Sequence, residues 1–310
     1  MSTATSTLAE KIHVPSDFFS HALKEYKDWQ LAWFRETLQN SLDAGAIQVD
    51  FSIKKVDDRI QLSCTDNGHG IPLKTIKKGL LTLGGSVKSN HDKTIGGFGY
   101  AKHIILFAHY HYQIQTQDLL VTGSGTHYQI KDNQDFIKGT SITVLLKDKV
   151  SIKYLKYCCK TLAKNYSGKA HITLNNKQIR SYSDKYDYEI MTVLGDLKFS
   201  EVDDSGIEIW VRMKGLPMFQ YYLEASGQIK GVIATLELKG NPTELLTSNR
   251  DGLTSDASSQ LDHLLHALTH QRQQFKKRNS LSLTFNSDTE HINQENTNPK
   301  SHVTDLKQSF

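Results

Sequence analysis

WFRETLQNSLDAGA, residues 33–46, decides how this chain is read. Taken as a helix, it places Phe34, Leu38 and Leu42 at every fourth residue, which makes one apolar stripe. Glu36, Asn40 and Asp43 recur at steps of four and three and so share another face. A helix needs its apolar stripe in order to pack. It has no such need for Glu, Asn and Asp in line. A carboxylate one turn from a carboxamide suits a general base beside a hard-cation ligand. For this helix taken alone, a solvated polar face is the simpler reading.

Outward from that helix the pattern alternates between helix and strand. Residues 17–28 read as an amphipathic helix with Ser16 as its cap. Gly45 closes the 31–44 helix. IQVDFSIKK (47–55) and IQLSCTD (60–66) alternate as half-buried strands, and the Asp57-Asp58-Arg59 turn joins them into a hairpin that ends on Asp66. DNGHGIP (66–72) is a tight loop, and Pro72 opens a helix to about residue 83. LGGSVKSNHDKTIGGFGYAK (83–102) is polar, glycine-rich and aperiodic, as lids and binding loops are. A helix follows to Ala108, then strands at 111–117, 126–131 and 140–146, a helix at 151–165 and a strand pair in ITLNNKQI (172–179). Further strands are expected at 207–213 and 230–238. A polar loop, KGNPTELLTSNRDGL (239–253), precedes a long helix to Lys277.

Length and composition set limits. The chain has 310 residues, 38% hydrophobic and 23% charged, which fits a soluble globular protein of one large or two ordinary domains. No apolar run nears the roughly 20 residues of a membrane span, and MSTATSTLAEK lacks the form of a secretory signal. Three cysteines, Cys64, Cys158 and Cys159, with no metal spacing, point to a reducing, cytoplasmic home. A net charge of +4 permits nucleic-acid contact without arguing for it. His263, His266 and His270 share a helix face but lack acidic or thiol partners, so solvation explains them better than a metal. His109 and His111 flank a strand start and read as structural. Tyr221 and Tyr222, beside Phe219, read as core. Lys276, Lys277 and Arg278 form the basic end of the last helix.

Several motifs are weak singly and specific in sequence. Gly97 and Gly99 in IGGFGYAK (95–102) precede a helix, which suits an anion, but the segment has neither Walker nor dinucleotide spacing. Asp66 with Gly68 and Gly70 reads alone as a turn. The order Glu36, Asn40, Asp43, then Asp66-x-Gly-x-Gly, then a polar lid, then Gly97-x-Gly99, then Gly139-Thr140 resembles the GHKL superfamily of gyrase B subunits, MutL, ninety-kilodalton heat-shock chaperones, microrchidia proteins and histidine kinases. The likeness covers about residues 15–148.

This resemblance implies an α+β chain: a Bergerat-fold sandwich, with a mixed, mainly antiparallel sheet backed by helices, and a second, smaller α/β domain. It implies ATP and Mg²⁺. Glu36 would be the general base, and Asn40 the Mg²⁺ ligand. Asp43 would be the acidic residue near the nucleotide, and Asp66 the acceptor for the adenine amine, with Gly68 and Gly70 keeping that wall open. Gly97 and Gly99 would cradle the phosphates with Lys102 beside them, and Thr140 would complete the adenine end. Ala101 stands where several members have a third glycine. Residues 229–253 are similar to the middle domain of the heat-shock group, where an arginine reaches the γ-phosphate, a role that falls to Arg250. ITLNNKQI is similar to the second domain of MutL-type proteins.

The domains expected are a leader at 1–16, the ATP-binding domain at 17–149, a transducer-like domain at 150–278 and a disordered tail at 279–310. In such relatives slow hydrolysis closes a lid over residues 84–96 and drives a homodimer that acts on a macromolecule. A DNA clamp is favoured by the positive charge, and a chaperone-like ATPase acting on protein clients by the Arg250 loop. A switch within a multi-protein system suits the length, and a histidine kinase lacks its phosphoacceptor helix.

Overall fold

A computed structural model describes residues 14–15, 18–82, 101–132, 135–203, 206–223 and 231–270. The 84–96 lid, Gly97, Gly99, most of the expected leader and the expected tail lie outside them. In chain order come α1 (Phe18–Lys24), α2 (Trp29–Asp43), β1 (Gln48–Val56), β2 (Arg59–Asp66) and α3 (Leu73–Thr75), which runs into a π-helical turn at Ile76–Leu80. A second π-helical turn, His103–Phe107, leads to β3 (His111–Gln117), β4 (Leu119–Ser124), β5 (His127–Lys131) and β6 (Ile137–Leu145). Then follow α4 (Ile152–Asn165), β7 (His171–Leu174), β8 (Lys177–Ile179), β9 (Tyr188–Met191), β10 (Gly195–Val202), β11 (Ile207–Met213), β12 (Leu216–Leu223) and β13 (Gly231–Leu238). The last are α5 (Pro242–Leu245) and α6 (Ser255–His270).

The strands form two sheets. The first has the order β5-β4-β3-β6-β2-β1-β7-β8 and is antiparallel except where β7 pairs with β1. The second has the order β12-β11-β13-β10-β9, with β11 and β13 parallel. This is the expected mixed, mainly antiparallel sheet backed by helices, followed by a smaller α/β unit. The expected hairpin is present in register, with Val56 opposite Arg59 and Val49 opposite Asp66.

The chain departs from expectation in its strands, at Tyr222 and beyond residue 149. β4, β9, β10 and β12 were not anticipated. The Lys214-Gly215 loop between β11 and β12 has positive φ at both residues, 52° and 75°, which matches the twist of a two-residue hairpin. Tyr222 on β12 is 59% exposed, not core, because β12 is an edge strand. The large sheet also runs past residue 149. α4 packs on α2 and β1, and β7 extends the sheet at the β1 edge.

Helix α2 lies between the sheets. Asp28 caps it by accepting from the Leu31 N–H. On the first sheet's side Phe34 meets the Phe51 ring edge-on at 5.3 Å, and the Trp33 indole donates to the Ile105 carbonyl. Trp33, Phe34 and Leu38 are fully buried, each worth about 1.5–3 kcal/mol of transfer free energy. The opposite side of the helix meets β12. So Arg35, Glu36 and Gln39 are buried as well, and of the polar face read from the sequence Glu36 is out of solvent while Asn40 and Asp43 are half-buried.

His109 is buried beside Trp29, its Nε2–H donating to the Ile104 carbonyl at 2.7 Å. Burial pushes its pKa down to about 4. The folded state therefore keeps it neutral where the unfolded chain, with an ordinary value near 6.5, takes up a proton. Stability is complete above pH ~6.5 and falls as the pH drops towards 4, by on the order of 3 kcal/mol from this group. His109→Gln keeps a donor without a titration. Thermal melts of the variant should lose this part of the decline between pH 6.5 and 5, and an unchanged pH profile would assign the decline elsewhere.

Candidate functional site

The last turns of α2, the end of β2 and a loop after β13 supply the side chains. Glu36 is 4% exposed and its two oxygens are held from opposite sides. Arg35 donates to Oε1 through Nε and Nη2, at 3.2 and 3.1 Å. Arg250 donates to Oε2 through Nη1 at 2.8 Å, and the same nitrogen donates to the Gln39 carboxamide oxygen at 2.6 Å. Glu36 and Arg250 are 214 residues apart, so the contact joins the two sheets.

Arg35 does more than pair with Glu36. Its Nη1 donates to the carbonyls of Met218 and Arg250 and to Asp251 Oδ1, and its Nη2 donates to the Asn249 carbonyl. Burial alone would pull this guanidinium down, but the carboxylates of Glu36 and Asp251 outweigh it and hold its pKa above the ordinary value. The loop is tied from α1's side too, with Lys27 N–H donating to Asp251 Oδ2 and Asn249 Nδ2 to the Glu25 carbonyl. Arg250 has φ +57°, a left-handed conformation that costs a non-glycine residue about 1 kcal/mol or more.

A second cluster forms at the end of β2. Asp66 Oδ1 accepts from Gly68 N–H at 2.8 Å and Oδ2 from the Ser41 hydroxyl at 3.1 Å. Thr140 is its direct partner across the β2–β6 ladder. Thr116 Oγ1 accepts from Ile71 N–H, donates to the Gly139 carbonyl and lies 3.3 Å from Thr140 Oγ1. Backbones approach closely here. A Cβ on Gly68 would lie 2.7 Å from the Ala44 carbonyl, and one on Gly139, where φ is +89°, would lie 1.9 Å from that of Asp66. Asp66, Gly68, Gly70 and Thr140 are thus brought together.

Asn40 and Asp43 sit half-buried on the last turns of α2. Mg²⁺ favours oxygen donors and is held by one or two protein ligands, with phosphates and waters filling the rest. The Asn40 carboxamide fits that donor type. Among the described residues no group of three His, Cys, Asp or Glu side chains is placed to hold a metal by itself. Lys102 is buried and donates to the carbonyls of Gly79, at 2.7 Å, and Thr82. Burial lowers its pKa. Burial also raises the Cys64 thiol to about 12 and lifts Cys159 well above its ordinary value, so neither is a ready nucleophile.

Four residues were missed in the sequence: Arg35, Gln39, Thr116 and Asp251. Thr116 left a signal, since it is a polar residue at the inward phase of β3 with Tyr112 and Ile114. For the others no local signal exists, because their partners arrive from far along the chain.

Residues 34–149 match the family model for histidine kinase-, DNA gyrase B- and HSP90-like ATPases. Over this stretch the chain is similar to the GHKL ATPases. The fold is similar to that of the ATPase region of Saccharomyces cerevisiae topoisomerase II, with a TM-score of 0.54 and 11% identity over 79% of this chain and 84% of that one. The ATPase and transducer domains of topoisomerase II from Balamuthia mandrillaris align with a TM-score of 0.48 and 14% identity over 62% and 61% of the two chains. No curated protein sequence matches.

Gly139→Ala tests the close packing at Asp66. Both the left-handed φ and the clash with a backbone carbonyl oppose a methyl group, so the loss should be at least about 3 kcal/mol. Urea denaturation of the variant should show it. A loss below about 1 kcal/mol would mean that β6 and the loop after β2 are not held this closely.

Proposed function

We propose that this chain is a Mg²⁺-dependent ATPase in which hydrolysis is coupled to the position of the second sheet, forming a nucleotide-driven clamp or switch. The observation that carries this reading is the bond from Arg250 to Glu36. An arginine from a distant loop rests on the one carboxylate of α2 suited to act as a base.

Glu36 would orient the attacking water and take its proton. With Arg35 on one oxygen and Arg250 on the other, the carboxylate is fully engaged. Arg250 has a stronger partner in the terminal phosphate of ATP. Moving its guanidinium there would free Oε2 for water and place a positive charge where negative charge develops. Arg35 would keep Glu36 oriented throughout. Asn40 would hold Mg²⁺, which supplies charge neutralisation across the phosphates. Asp66, held by Ser41 and Gly68, would accept from the adenine amine, with Thr140 beside it. Gly97, Gly99 and the 84–96 segment would close over the phosphates, and closure would favour a homodimer. Asp43 and Lys102 would lie at the margin of the nucleotide. The reaction is water attack on the γ-phosphate, in which positioning and charge supply most of the catalysis.

The informative variant at the base is Glu36→Gln. Alanine would leave two buried guanidinium groups without their carboxylate, at a cost of about 3–5 kcal/mol. Glu36→Gln should keep ATP affinity within a few-fold while turnover falls by about two orders of magnitude or more. Arg250→Ala should also spare affinity and reduce turnover. Calorimetry beside phosphate release separates these quantities, and equal loss of binding and turnover in both variants would refute the roles.

Asp66→Asn should leave the fold intact, because the amide oxygen still accepts from Gly68 and Ser41 can turn to accept from the amide. It should weaken ATP binding by about 1–3 kcal/mol. A wild-type protein that binds GTP as well as ATP would show that Asp66 does not read the base.

A further inference from the structure

Charge is unevenly distributed along the chain. Between Asp148 and Asp184 stand seven lysines and Arg180, with no acidic residue. Eight of the chain's 37 basic residues fall there and none of its 33 acidic ones, which leaves 29 against 33, a net −4, for everything else. The whole positive excess of the protein therefore lies in one segment.

The fold lays that segment out as a surface. α4 buries Leu155, Cys158, Cys159, Leu162 and Ala163. Lys153, Lys156, Lys160 and Lys164 recur along its other side at steps of three and four, a stripe about 16 Å long at 1.5 Å per residue. Tyr154 and Tyr157 stack beside them at 5.9 Å and are 42% and 58% exposed. The chain after β8 returns along the end of the helix. Tyr182 N–H donates to the Lys164 carbonyl, and the Lys164 ammonium lies 5.2 Å over the Tyr182 ring, which brings Arg180 alongside. β8, with Lys177, is the edge strand and packs against α4.

Nothing in the described residues neutralises this face. Among the described residues none of the four lysines lies within ion-pair distance of a carboxylate. Asp28, which does meet α4, is taken up by Leu31 N–H, the Tyr154 hydroxyl and the Cys158 thiol. Like charges three and four residues apart oppose the helix by about 0.2–0.5 kcal/mol per pair. Solvated helices ordinarily relieve this with interleaved acids, and α4 has none.

We propose that the α4–β8 face binds the phosphate backbone of double-stranded nucleic acid. A duplex carries one negative charge per about 1.7 Å of its axis, enough to meet every lysine of the stripe at once. The four lysines of the stripe are point charges that fit phosphates without selecting a sequence, and the Tyr157 hydroxyl is a phosphate donor of the same kind. The inference rests on the clamp reading for its biological sense, since it names the macromolecule clamped. Yet none of these residues belongs to the nucleotide site, so duplex binding and ATP turnover fail separately.

The test is anisotropy of a fluorescein-labelled duplex of arbitrary sequence, titrated with the full chain between about 50 and 200 mM salt. The wild type should bind, with affinity falling steeply as salt rises. Lys153→Ala, Lys156→Ala, Lys160→Ala and Lys164→Ala combined should lose at least tenfold in affinity, with a salt slope shallower by about 3–4, at unchanged ATP affinity and a melting temperature no lower than that of the wild type. The matching arginine quadruple should bind as the wild type does. Should the alanine quadruple not fold, single Lys153→Ala and Lys160→Ala variants decide, each expected to lower the slope by about 0.9. Absence of duplex binding by the wild type at low salt, or unchanged slopes in the variants, overturns the proposal. So does equal competition by polyglutamate, which would mark an acidic protein partner. Normal duplex binding by a chain that turns over no ATP would leave this inference standing and remove the ATPase reading instead.

Discussion

Glu36 is held between two guanidinium groups, one from its own helix and one from a loop more than 200 residues later, and the relation of the two sheets depends on that arrangement. Buried ion pairs contribute little net stability, because desolvation offsets most of the attraction. What this network supplies is geometry. All three guanidinium nitrogens of Arg35 are engaged, on Glu36, Asp251 and the carbonyls of Met218, Asn249 and Arg250. A slide of the loop by one residue would leave donors facing nothing in a dry interior. The second sheet is therefore docked in a single register.

That docking bears on the chemistry proposed for Glu36. A carboxylate that also fastens a neighbouring domain cannot change its partner without moving that domain, or be reached by a new cation without releasing the old one. The left-handed backbone at Arg250 fits the same picture, since its cost is met by the bonds around it.

The first sheet was readable because its strands obey period two and its turns carry the expected residues. Val49, Phe51 and Ile53 alternate inward, and the hairpin through the Asp57-Asp58 turn delivers Asp66 to its place opposite Thr140. The environment of α2 was not readable. Periodicity shows which side chains are able to pack on a near neighbour. It is silent about β12 and the Arg250 loop arriving on that helix, so nothing in the pattern marked Arg35 and Gln39. β12 itself was missed because the Lys214-Gly215 hairpin signal went unused. The limit placed near residue 149 failed to separate packing units because α4 follows a polar loop, as a new domain would, yet returns to pack on α2.

The parallel pairing of β7 with β1 has a practical meaning for anyone dividing this protein. A fragment cut near residue 149 would strip β1 of its outer neighbour and expose unpaired N–H and C=O groups over Gln48–Phe51. It would also uncover the part of α2 against which α4 packs. Such an edge is a template for another chain. The shortest piece able to keep its sheet closed to strangers ends beyond Ile179, after β8, whose Lys177 and short length suit it to stand at the margin.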